Sequence, residues 1–135
     1  MAIGWQPSME TGAPVLDAQR RALVERADAL LGALIGGQDR PSIEKALKDF
    51  GDYAVRHFST EEDCHLRGVC PALRWTGVAR AELIRIMSEF RLSFERFGAT
   101  PAVADDLNCK LSGWVSTYIP GPATDLPCVS PARQA

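Results

Sequence analysis

Potential metal ligands recur at one-turn intervals in the middle of the chain. His57, Glu61 and Cys64 follow the spacing i, i+4, i+7, so a helix would carry all three side chains on one face. Imidazole, carboxylate and thiolate groups are common ligands of iron, zinc and copper in proteins. This face is therefore a candidate metal site.

The sequence contains four cysteines, and three of them could contribute to the same region. Cys64 is followed by His65 and Cys70, and Cys128 lies in a C-terminal segment that could fold back towards them. These thiols could ligate a metal together with a neighbouring histidine, or form a reversible disulfide. The spacing between Cys64 and Cys70 is not that of a known metal motif, and ordinary unligated thiols are the alternative.

A second set of polar residues interrupts the apolar stripes of other segments: Arg20, Thr76, Arg80 and Tyr118. Arginine stays protonated and has no lone pair to donate, so neither Arg20 nor Arg80 can ligate a metal. They could compensate the charge of Glu61. Alternatively, guanidinium, hydroxyl and imidazole donors could together bind a small anion such as a carboxylate or phosphate.

Four segments with helical periodicity are expected to position these residues. The first runs from about 15 to 35, the second from 41 to a break at 68–71, the third from about 73 to a break at 98–101, and the fourth from about 102 to 119. No segment shows the alternation of a strand. Four helices with short connections predict an all-α, up-down-up-down four-helix bundle.

This topology predicts where the polar residues meet. The start of the first helix, the end of the second, the start of the third and the end of the fourth lie at the same end of such a bundle. Each of the polar residues named above falls in one of those four places, apart from Cys70 in the loop at the same end and Cys128 in the tail. We therefore expect one remodelled pocket at that end.

Length and composition limit the other possibilities. A chain of 135 residues fits one domain, which we divide into a bundle with its N-terminal loop at 1–125 and an irregular tail at 126–135. The formal charge is −2 and no basic tract occurs, which disfavours nucleic acid and anionic membranes as partners. Neither a secretory signal nor an apolar stretch of bilayer length is evident, so we expect a cytoplasmic protein.

The chain resembles a hemerythrin-family domain, specifically a bacterial hemerythrin, from Trp5 to about Ile119. The resemblance is carried by Trp5 with Thr11-Gly12, LDAQ at 16–19, HFSTEE at 57–62, Pro71 and WVSTYI at 114–119. It implies a four-helix bundle that binds two irons through five histidines and two carboxylates and that carries or senses dioxygen.

Most of the ligand set implied by this resemblance is replaced. His57 and Glu61 match the ligands of the second helix. The other five positions carry side chains that ligate iron poorly or not at all: Arg20, Thr76, Arg80, Tyr118 and Ala123. A conventional diiron centre is therefore not expected.

We predict a non-enzymatic binding or sensing protein whose remodelled pocket binds a different metal or metal cofactor. Iron, zinc or copper, with thiolate ligands, would suit the residue types at that end of the bundle. One alternative is a metal-free interaction protein or small-anion binder, and another is residual iron-dependent dioxygen or peroxide chemistry. The expected partner is a metal, a small molecule or another protein, and the oligomeric state is left open.

Overall fold

The computed structural model describes residues 3–5, 7, 14–68 and 73–119, and within the helices it describes the side chains of residues 17–62 and 77–118. It contains four α-helices: α1 (Pro14–Ile35), α2 (Arg40–Gly68), α3 (Leu73–Phe97) and α4 (Pro101–Tyr118). Each helix packs against its neighbours in sequence, and α1 also packs against α4. No strand occurs in these ranges. The predicted all-α four-helix bundle is confirmed.

Capping side chains and glycines mark the ends of the helices. Thr100 caps α4 by accepting a hydrogen bond from the backbone N–H of Val103 at 3.2 Å. Asp39 caps α2 in the same way, through a backbone N–H at 2.9 Å. Gly37 after α1 and Gly98 after α3 have φ values of 67° and 74°, a left-handed conformation that glycine adopts without steric cost. These short turns return α2 alongside α1 and α4 alongside α3.

The interior of the bundle is apolar along most of its length. Burying one such large apolar side chain contributes about 2 kcal/mol to stability. All four helices contribute buried apolar residues, among them Leu30 and Leu31 of α1, Ile43 and Phe50 of α2, Ile86 and Phe90 of α3, and Leu107 and Leu111 of α4. Among the residues whose burial is described, three polar ones are buried with them: Arg20, His57 and Glu61.

None of the helices within the described ranges is both long enough and apolar enough to cross a lipid bilayer. The predicted boundary between the bundle and the tail, at 125/126, lies outside the described residues.

Candidate functional site

The guanidinium of Arg20 lies at the centre of the candidate site. Arg20 is only 1% exposed and projects from α1 into the bundle, on the same stripe as Leu23 and Val24. Its Nε and Nη2 donate hydrogen bonds to Oε2 of Glu61, at 3.2 and 3.1 Å. Its Nη1 donates to the carbonyl oxygen of Ile119 at 2.5 Å. One side chain thus connects α1 to α2 and to the end of α4.

The contact with Ile119 has a physical reason in the helix itself. Ile119 is the C-terminal cap of α4, and the last carbonyls of a helix have no N–H partner within it. The same end carries the negative pole of the helix dipole, which favours a nearby cation. Arg20 therefore satisfies a backbone acceptor and a carboxylate at once.

Glu61 is held from two sides. It is 5% exposed, and its Oε2 also accepts a hydrogen bond from His57 Nε2 at 2.6 Å, one helical turn earlier. Burial by itself would raise the pKa of Glu61, but the hydrogen bond and charge of His57 and the neighbouring Arg20 lower it to about 2. Glu61 is consequently ionised at neutral pH, and its charge is compensated within the bundle.

His57 is the third member of this cluster. It is 1% exposed, and its ring meets that of Phe58 edge-on at 5.4 Å between centroids. Its Nδ1 is buried and has no hydrogen-bond partner among the described residues. We refer to Arg20, His57 and Glu61 below as the buried cluster.

Arg80 lies apart from the buried cluster. Its side chain is 35% exposed, and Nη1 pairs with Oε1 of Glu62 at 2.5 Å. Its guanidinium stands 5.6 Å from the centre of the Phe58 ring. Arg80 therefore lies on the outside of the bundle, between α2 and α3.

Tyr118 lies at the end of α4, against Trp114, with ring centroids 6.2 Å apart. Trp114 donates its indole N–H to the carbonyl oxygen of Ala79 at 2.8 Å and so joins α4 to α3. Both aromatic residues line a shallow depression between these helices. The structure places Tyr118 on that side of the bundle.

The structure does not describe the side chains of the remaining predicted site residues. The side chains of Cys64, His65 and Thr76 are outside the described set, although their backbones belong to α2 and α3. Residues 69–72 and 120–135 lie outside the described residues altogether, and they include Cys70, Ala123 and Cys128.

The described donors do not fit a metal ion. Within the described part of the chain, no three His, Cys, Asp or Glu side chains gather closely enough to share one. Oε2 of Glu61 already accepts hydrogen bonds from His57 and Arg20. A metal cation at this oxygen would also meet the charge of a guanidinium 3.1 Å away, with little solvent to screen it. The geometry is that of an ion-pair cluster.

Two partners in this region were not anticipated from the sequence. The carbonyl of Ile119 is a backbone group, and its only signal is that it ends the last helix before Pro120-Gly121. Glu62 stands next to Glu61 in HFSTEE but points to the other side of α2, where it meets Arg80. Adjacent residues on a helix point in different directions, so Glu61 faces the interior of the bundle and Glu62 faces its surface.

The chain is similar in sequence to several proteins named bacteriohemerythrin. The chain is 30% identical over 115 residues to a bacteriohemerythrin of Pseudomonas paraeruginosa, a match covering 85% of this chain and 72% of that protein. A bacteriohemerythrin of Pseudomonas aeruginosa matches to the same extent. One from Stenotrophomonas maltophilia is 28% identical over 117 residues, covering 87% and 74% of the two chains.

No family model matches the sequence, and no solved structure matches it significantly. The similarity to these relatives extends over most of both chains and confirms the resemblance found in the sequence. The chain belongs to the hemerythrin family, with bacteriohemerythrins as its relatives.

Proposed function

We propose that this protein is a metal-free member of its family that acts by binding a partner and not by catalysis. The observation that carries the proposal is the buried guanidinium of Arg20, with its hydrogen bonds to Glu61 and Ile119. A buried carboxylate needs a positive charge close by, and in a metalloprotein a metal ion supplies it. Here a side chain supplies that charge.

The family resemblance supports this interpretation. It implies histidine ligands on the first, third and fourth helices, and those positions carry Arg20, Thr76, Arg80 and Tyr118. Arg20 offers no lone pair, and its positive charge replaces that of a metal instead of attracting one. The buried cluster thus supports a bundle end that is stable without metal. A cytoplasmic location, as the sequence predicts, belongs to the same proposal.

The proposal is tested by counting metals. Protein produced in medium supplemented with iron, zinc and copper, and purified without chelator, is analysed by elemental mass spectrometry and by its absorption spectrum. We expect far less than one equivalent of each metal per chain and no oxo-to-iron charge-transfer band.

Stoichiometric metal would overturn the proposal, and two variants would identify its site. Loss of the metal in Cys64→Ser would show a thiolate site, whereas loss in His57→Ala with retention in Cys64→Ser would show a site at the buried cluster. The matched control is Cys109→Ser, since Cys109 is an exposed thiol on α4 away from the cluster.

A further inference from the structure

An apolar groove of about 730 Å³ runs between α2 and α3 on the surface of the bundle. The rings of Phe50 and Phe58 lie in its floor. Three apolar residues stand on its rims and are more than half exposed: Val55 (68%), Ile84 (59%) and Leu92 (69%). Exposed apolar residues gathered along a groove are typical of an interaction surface.

On the α3 side of the groove, apolar residues flank a small central one, and residues of opposite charge lie towards the two ends. Successive residues at four-residue spacing are Arg80, Ile84, Ser88 and Leu92, and Glu95 follows one turn later. Residues spaced by four form a continuous ridge along a helix, and such ridges pack into the grooves of a neighbouring helix. The ridge from Arg80 to Leu92 has the small Ser88 between two apolar residues. Glu95, three residues after Leu92, lies beside the far end of the ridge and lines the groove.

We propose that a second copy of this chain occupies the groove, with the two α3 helices antiparallel about a two-fold axis near Ser88. In this arrangement Ile84 of each copy lies opposite Leu92 of the other. Arg80 of each copy comes within one residue of the position opposite Glu95 of the other, at both ends of the contact, since Arg80 is eight residues before Ser88 and Glu95 seven after it. The small side chain of Ser88 lets the two helices approach closely at the axis. Such a contact is isologous, since the same patch is used by both copies.

The charges on both sides of the groove support this occupant. Glu62 lies at the Arg80 end and Arg91 at the Glu95 end, so the two-fold axis brings a second pair of opposite charges together. Within the described residues, neither Arg91 nor Glu95 takes part in an ion pair. A parallel contact would instead place Arg80 against its own copy.

This inference rests on the proposed binding role and names its partner. It is tested by sedimentation velocity over protein concentrations up to about 1 mM, where dissociation constants in the millimolar range are still detectable. We expect the weight-average mass to rise from that of a monomer to that of a dimer. Arg80→Glu and Glu95→Arg should each weaken the dimer about ten-fold or more, because each brings like charges together at both ends of the contact.

An equimolar mixture of these two variants best distinguishes a second copy of this chain from an unrelated partner. Every contact in the mixed pair again joins opposite charges, so the mixture should associate nearly as well as the original protein. A contact with an unrelated partner predicts no such rescue. The control is Lys45→Glu, which breaks an exposed ion pair with Asp49 on α2 outside the groove and should leave association unchanged.

Substitutions at exposed apolar positions test the same contact without changing Arg80 or Glu95. Ile84→Glu should abolish association, whereas Ile35→Glu, at another exposed apolar position, should not. A protein that stays monomeric at all concentrations, or a mixture of the two charge variants that stays monomeric, would overturn the second copy as the partner. Metal analysis of the same samples keeps the two proposals distinguishable, since a dimer that contains metal would contradict only the metal-free role.

Discussion

At the scale of single residues, Arg20 determines the character of the interior. An arginine at 1% exposure is stable only if its charge and donors are satisfied, and here Glu61 and the Ile119 carbonyl satisfy them. Replacing both residues of the pair by apolar ones need not lower the free energy of unfolding. Removing only one partner, however, leaves a buried charge without compensation.

This asymmetry gives a double-mutant prediction. Arg20→Met and Glu61→Gln should each lower the free energy of unfolding by about 3–5 kcal/mol, and the double variant should lose clearly less than the sum. Chemical denaturation of the four proteins measures the coupling. The control cycle uses the exposed pair Lys48 and Asp52, which are 2.6 Å apart, where the coupling should stay below about 1 kcal/mol. Equal coupling in the two cycles would contradict the account.

At the scale of helices, the buried cluster fastens three elements at one end of the bundle. His57 and Glu61 belong to α2, Arg20 to α1, and the accepting carbonyl of Ile119 ends α4. The connection depends on an ionised Glu61, whose pKa in the folded protein is about 2 against an ordinary value of 4.5. A carboxylate with a depressed pKa stabilises the fold above its unfolded pKa, and this contribution is lost as the pH falls towards the folded pKa.

Lowering the pH should therefore remove the stability that Glu61 provides relative to an uncharged amide at the same position. We expect a clear difference in unfolding free energy between the original protein and Glu61→Gln at about pH 5, where Glu61 is ionised in the folded protein. It should shrink between pH 4.5 and about 2, as Glu61 takes up a proton. Denaturation series across this range measure the difference. A difference that does not change with pH would show that the carboxylate charge is not what holds the helices together.

At the scale of the whole molecule, the sequence predicted the fold more fully than the site. Apolar residues at helical spacing, with Gly37 and Gly98 between the segments, were sufficient for the four helices, because these signals are local. Which arginine meets Glu61 depends on the rotation of each helix about its axis. Both Arg20 and Arg80 fit the apolar stripes, and only packing placed one inside and the other on the surface beside Glu62.

The central claim is that Arg20 supplies the charge that a metal would otherwise supply, so that the folded protein needs no metal. The most direct test is the free energy of unfolding measured with excess chelator and with added ferrous iron or zinc. A metal that binds only the folded state would raise it by about 2.7 kcal/mol at a concentration one hundred times its dissociation constant. We predict the same value under all three conditions. An increase with either metal, reversed by chelator, would contradict the claim.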